Sequence, residues 1–364
     1  MVNGLQGRLQ DMADELVRSG AERGLQVAVY RHGELVADVV AGLADPATGR
    51  PVTPGTPFHA FSAGKGLTAT VVHVLAERGA LDYDTPIARI WPEFGAHGKD
   101  TATVRDALTH STGVPGLPAD LTPEDLCDWE KTCALIAAAR PWWEPGTATG
   151  YHSYTFGHIV GEIVRRVTGT PISQVLREEV AAPLGVAGEL FLGVPEAELG
   201  RLARLEDVPG FAEAPEGSPA LAVAPRGVRP TAAFGNRADV LSAAIPAGGQ
   251  LTARAAARMY AALLGPVDGV RLISPDRLRE VTAPVVDGVD RVFGNRAVLS
   301  NGYAVGRLGT DPDDTPTVFG WAGSGGGYAC ADTATGVAFA VTKNRLAADF
   351  GTAQTIAALI AGAT

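Results

Sequence analysis

Apolar residues at Leu5, Leu9, Met12, Leu16 and Val17 recur every three or four positions and predict an amphipathic first helix. The pattern then changes period. LQVAVYR and ELVADVVAG, joined at His32-Gly33, predict an antiparallel hairpin, and the turn-rich DPATGRPVTPGT follows it. From Phe58 to Gly79, Leu67, Val71, Val72, Leu75 and Ala76 return to helical spacing, with Gly79 as a C-terminal stop. A helix is expected over Val104 to Thr109 and another over Pro123 to Arg140, with Pro at its first position and acids in its first turn. Phe156, Ile159, Val160, Ile163, Val164 and Val167 predict a further helix, as does ISQVLREEVAAPLGV.

Residues 187–235 show no clean period and are read as loops and irregular strands. LTARAAARMYAALL and PDRLREVTA are helical in pattern. GYAVGRLG, TVFGWAGS and GYACADTATGVAFAVTKN read as strands before a last helix, FGTAQTIAALIAGA. Strands at both ends with helices between them predict one shared sheet. The expected division is a sheet domain of residues 1–75 and 236–364, a mostly helical domain of 76–235, and a site in the cleft between them.

Composition narrows the function classes. The chain has 364 residues, 46% hydrophobic and 19% charged, with a net charge of −10, which argues against nucleic acid as a partner. No apolar run approaches the length of a membrane span, and the N-terminus lacks the pattern of a secretory signal, so a cytoplasmic location is expected. Three cysteines, Cys127, Cys133 and Cys330, are too few for a disulfide framework and are read as buried small side chains. The seven histidines show no His-x-x-x-His spacing, so no metal or other cofactor is expected.

Three stretches carry candidate chemistry. Ser62 and Lys65, three apart at a helix start, share one face, so hydroxyl and amine can touch. A lysine serves as base only if burial or a nearby cation depresses its pKa; the other reading is an N-cap serine and a solvated lysine. Tyr151 and Ser153, two apart in a glycine-bounded loop, point to one side, although Ser153 could equally cap the next helix. His152 between them is expected at the surface. The third stretch is Trp321-Ala322-Gly323-Ser324 followed by three glycines, where a strand end could offer a backbone N–H to a substrate oxygen.

Together these stretches resemble the serine β-lactamase and penicillin-binding-protein superfamily, and within it the class C β-lactamase-like esterases, the family VIII carboxylesterases. The resemblance runs through Ser62-x-x-Lys65, LTHSTGVPG from Leu108 to Gly116, WWEPGTATGYHS up to Tyr151, Pro183-Leu184-Gly185 and Pro246-Ala247-Gly248-Gly249. It implies an α/β (α+β) chain with an antiparallel sheet flanked by helices plus a mostly helical lobe. It further implies Ser62 as nucleophile, Lys65 as its proton acceptor, Tyr151 as proton relay, and oxyanion N–H groups from Ser62 and Ser324.

Two departures bear on substrate. Position 321 is Trp where β-lactamases carry a lysine, and position 153 is Ser where the motif usually has Asn. A serine hydrolase acting on small-molecule carboxylic esters is therefore expected, rather than a good β-lactamase. Acyl transfer to an alcohol or amine is the alternative, and an inert binding protein on the same fold is a third reading. Trp129, Trp142, Trp143 and Trp321 are candidates for an aromatic pocket.

Overall fold

The computed structural model describes residues 4–211 and 213–363. Nine strands form one antiparallel sheet: β1 (Gly24–Arg31), β2 (Glu34–Asp45), β3 (Arg50–Pro51), β4 (Val286–Val289), β5 (Arg296–Leu299), β6 (Ala304–Val305), β7 (Val318–Gly323), β8 (Gly327–Asp332) and β9 (Val337–Lys343). Their spatial order is β3-β2-β1-β9-β8-β7-β6-β5-β4, so the two ends of the chain meet at β1 and β9, where Val27 faces Val341 and Val29 faces Phe339. His32 and Gly33 turn the first hairpin with φ of 51° and 85°, the positive values that a tight two-residue connection demands.

Alternation along β1 explains how the sheet is covered. Leu25, Val27 and Val29 join one core with Leu9 and Ala13 of α1 (Leu5–Arg18) and Ile356 and Ile360 of the last helix, Gly351–Ala361. Ala28 and Tyr30 point the other way, into a larger core with Ala338, Ala340 and the alanine-rich helix Ala253–Leu264. Into that same core goes α2 (Lys65–Glu77), buried from Lys65 through Ala76. Burial on every side accounts for a helix with few charges anywhere along it. Packed against α2 is α3 (Thr155–Thr168), which ends at Gly169 in the left-handed conformation.

Several expectations are corrected. The run Pro123 to Arg140 is two helices, Pro123–Cys127 and Trp129–Ala138, because Asp128 leaves helical geometry and its carboxylate accepts the Lys131 N–H as an N-cap. Residues 187–235 contain short helices, Pro219–Val223 and Ala232–Gly235, as well as the strand Leu190–Phe191. Of GYAVGRLG only Ala304–Val305 is strand. Strands β4 and β5 went unassigned from sequence; β4 alternates between half-buried and exposed, which gives a weak signal. Among the described residues no helix is long and apolar enough to cross a membrane. Cys133 and Cys330 are buried, Cys127 half-buried, and all three are free thiols.

Candidate active site

Ser62 does not open the α-helix. It lies in a single 3-10 turn, Phe61–Gly64, and Lys65 is the first residue of α2. Phe61 just before it has φ of 44°, a conformation that costs a non-glycine residue about 1–3 kcal/mol and clusters at functional sites. Two glycines let backbone close around this turn. A Cβ on Gly64 would stand 2.2 Å from Gly249 N, and one on Gly323, at the end of β7, would stand 2.0 Å from Ala60 O. Ser324 is thereby set in the wall of the same cavity as Ser62. Its N–H has no protein acceptor among the described residues.

The spacing argument for Ser62 and Lys65 holds in space. Lys65 is fully buried, and its Nζ donates to Ser153 O at 2.8 Å and to Ala247 O at 3.0 Å, with Ser62 Oγ at 3.2 Å. Burial lowers its pKa from 10.5 to about 7, and no carboxylate forms an ion pair with it among the described residues. Two N–H bonds are thus committed to carbonyls. The third direction on nitrogen faces the serine hydroxyl and, in the neutral amine, holds the lone pair.

From the other side Tyr151 donates its phenolic O–H to Ser62 Oγ at 2.6 Å. Burial pushes its pKa up to about 12, so it stays a phenol at neutral pH. Asp290, which sequence reading missed, accepts the Tyr151 N–H at 2.9 Å through Oδ2 and the Val292 and Phe293 N–H groups at 2.8 Å through Oδ1. This buried carboxylate fixes the Tyr151 backbone and sets Phe293 beside the tyrosine ring, 6.0 Å between centroids. His110, also missed as a site residue, stacks on Tyr151 at 5.2 Å, and its Nδ1 accepts the His152 N–H.

His152 is a correction. It is buried, with Nδ1 donating to Gly150 O at 2.6 Å and Nε2 accepting from Thr112 Oγ1 at 2.8 Å, so both ring nitrogens hold the loop in place. Ser153 does not cap α3, whose N-cap is Tyr154; it gives its carbonyl to Lys65 and lines the cavity.

These elements match known relatives over most or all of the chain. The family model described as Beta-lactamase matches residues 9–363. The chain belongs to the beta-lactamase family. It is 38% identical over 338 residues to Esterase/beta-lactamase LipL of Mycobacterium tuberculosis, covering 89% of this chain and 77% of that protein. Among solved structures, a family VIII carboxylesterase superposes with a TM-score of 0.91 at 32% identity, over 100% of this chain and 98% of that one. A penicillin-binding protein homolog from Caulobacter crescentus gives 0.88 at 30% identity, with the same coverage.

Within the beta-lactamase family the departure at Trp321 now has a structural content. The buried indole donates its N–H to Gly302 O at 2.6 Å and lies 6.1 Å from the Tyr151 ring, so position 321 offers a substrate neither charge nor free donor. The cavity beside Ser62 is lined by Phe61, Tyr154 and Phe234 rather than by any tryptophan. Trp129 instead donates to Glu162, Trp143 donates to Ser111 O, and Trp142 is half-exposed. Among the described residues no group of three or more His, Cys, Asp or Glu is placed to hold a metal ion.

Proposed function

We propose that the protein is a serine hydrolase of carboxylic esters that works through an acyl-enzyme on Ser62. The observation that carries this is the environment of Lys65: a buried amine with two N–H groups given to carbonyls, no carboxylate partner among the described residues, and its remaining valence on Ser62 Oγ. A lysine so placed loses its proton near neutrality and can take the serine's. Ser62 Oγ then attacks the ester carbonyl. The N–H groups of Ser62 and Ser324 receive the oxyanion, each such donor being worth about 3–4 kcal/mol in the transition state. The proton returns to the leaving oxygen through the Tyr151 phenol, and water repeats the sequence to free the acid.

This route also orients the substrate. The leaving oxygen must reach the Tyr151 hydroxyl at Ser62 Oγ, and Tyr151 is not one of the residues that line the cavity holding Ser62, Ser153 and Ser324. The acyl group therefore occupies the cavity, and the alcohol departs past Tyr151 and Phe293. Ester rather than β-lactam as substrate is supported by the missing cation at Trp321 and by the likeness to the solved family VIII carboxylesterase.

Ser62→Ala tests the assignment. Turnover of activated esters should fall by about 10⁴-fold or more, with thermal unfolding unchanged. Intact-mass spectrometry should find a short-lived acyl adduct on the wild type alone. Undiminished turnover in Ser62→Ala would overturn the reading, and an adduct that persists in water until an alcohol or amine is added would replace hydrolysis with acyl transfer.

A further inference from the structure

The cavity beside Ser62 is apolar over most of its wall, which is made by Phe61, Tyr154, Pro230, Phe234, Val240 and Ile245. Besides Ser62, Ser153 and Ser324, two buried side chains with unspent hydrogen-bonding capacity line it, His59 and Gln250. They are register partners across the antiparallel pair Phe58–His59 and Gln250–Leu251, so their side chains leave the same face.

Each is oriented by one side-chain hydrogen bond. His59 Nδ1 lies 3.2 Å from Gly235 O; a carbonyl can only accept, so Nδ1 carries the ring hydrogen. Burial keeps the ring neutral by lowering its pKa to about 4. Nε2 is therefore a bare acceptor, and it lies toward Gly248 in the cavity wall, where a Cβ would come within 3.6 Å of it. No protein group among the described residues donates to it. Gln250 accepts the Gly193 N–H through Oε1 at 3.4 Å, which turns its amide nitrogen the other way, as a donor with no protein acceptor among the described residues.

An acceptor and a donor on register-paired residues of one cavity wall complement a hydroxyl, which gives one hydrogen bond and takes another. A hydrocarbon chain in the same place would strand both groups. We propose that the cavity selects acyl groups bearing a hydroxyl, held between His59 Nε2 and the Gln250 amide nitrogen. This rests on the reading of Ser62 as nucleophile and of the cavity as the acyl pocket.

The test is a set of matched nitrophenyl esters in which a hydroxyl replaces a methyl at successive positions of a short acyl chain. The wild type should favour the hydroxyl member by about tenfold or more in kcat/KM at one position, since a site built to bond a hydroxyl discriminates against the analogue that lacks it. His59→Phe and Gln250→Leu should each bring that ratio close to one, and His59→Gln, which keeps an acceptor, should restore part of it. Fluorophosphonate labelling of Ser62 reports whether each variant retains its folded site, and the wild-type series decides by itself if both variants misfold. A wild type that favours the methyl member at every position overturns the proposal, as does a preference that survives in both variants. No turnover of any ester, with Ser62 unlabelled, would instead strike the esterase reading beneath it.

Discussion

Lys65 and Lys99 are both fully buried, and the difference in how they are held separates the proposed base from a structural cation. Of the four lysines in the chain only Lys131 is not buried, and of the other three only Lys343 has a carboxylate partner among the described residues, Glu22 at 2.6 Å. Lys99 Nζ donates to Ala96 O, Ala137 O and Ala139 O at 2.7, 3.1 and 2.6 Å. Three carbonyls can be served only by three hydrogens, so that site holds the ammonium although burial lowers its pKa. Two of those carbonyls close the C-terminal end of the helix Trp129–Ala138, where the helix dipole favours a cation. Lys65 has two carbonyls and a hydroxyl, and it starts a helix, where the dipole disfavours one. Burial costs both lysines hydration; only Lys65 can shed its proton without leaving a carbonyl unpaired.

The comparison is broken or sharpened most strongly by removing each amine. Lys65→Met should lower kcat/KM by about 10³–10⁴-fold, the upper part of the range for a lost general base, while Ser62 and Tyr151 remain in place. Lys99→Met should leave the rate of the folded enzyme within about twofold, yet strand three buried carbonyls at about 1–3 kcal/mol each. Its denaturant midpoint should therefore fall sharply. A Lys99→Met protein as stable as wild type but inactive would show that the two sites had been assigned the wrong way round.

Much of this was legible in the sequence, for reasons that are local. The spacing of Ser62 and Lys65 on an apolar helix start, and the strand end at Gly323, are short-range features, and the order of motifs pointed to the family. What stayed hidden depends on residues far apart in the chain. His59 and Gln250 meet across strands two residues long, too short to leave a periodic signal. Asp290 lies in a segment with weak alternation, and nothing nearby marks its bonds to Tyr151, Val292 and Phe293. His152 was placed at the surface because its partner Thr112 comes from another loop. The break at Asp128 shows that an acid in a helical run can be a cap instead of a solvated face.

Tyr151→Phe sharpens the account of the hydroxyl that Lys65 faces. Lys65 Nζ lies 4.8 Å from the Tyr151 ring centroid, and that contact survives the substitution, whereas the O–H on Ser62 Oγ does not. Loss of the relay should cost about 10²–10³-fold on esters of simple alcohols, whose leaving oxygen must be protonated. Nitrophenyl esters expel a stable anion and should lose much less. Comparable losses on both classes would mean that the phenol orients Ser62 and relays no proton.

A smaller effect, about tenfold per pH unit, isolates Lys65 from its surroundings. The attacking form needs a neutral amine, so kcat/KM should rise with pH through about 7 and then stay level, Tyr151 being a phenol up to about 12. The other titratable groups around the site do not compete: burial holds His59 and His152 at about 4, holds His110 well below its ordinary value, and leaves all three neutral across this limb. Lys99→Met should keep the limb unchanged, because the Lys99 proton takes no part in the reaction. In Lys65→Met the residual rate should lose it, and a limb near 7 that persisted there would assign the titration to some group other than this amine.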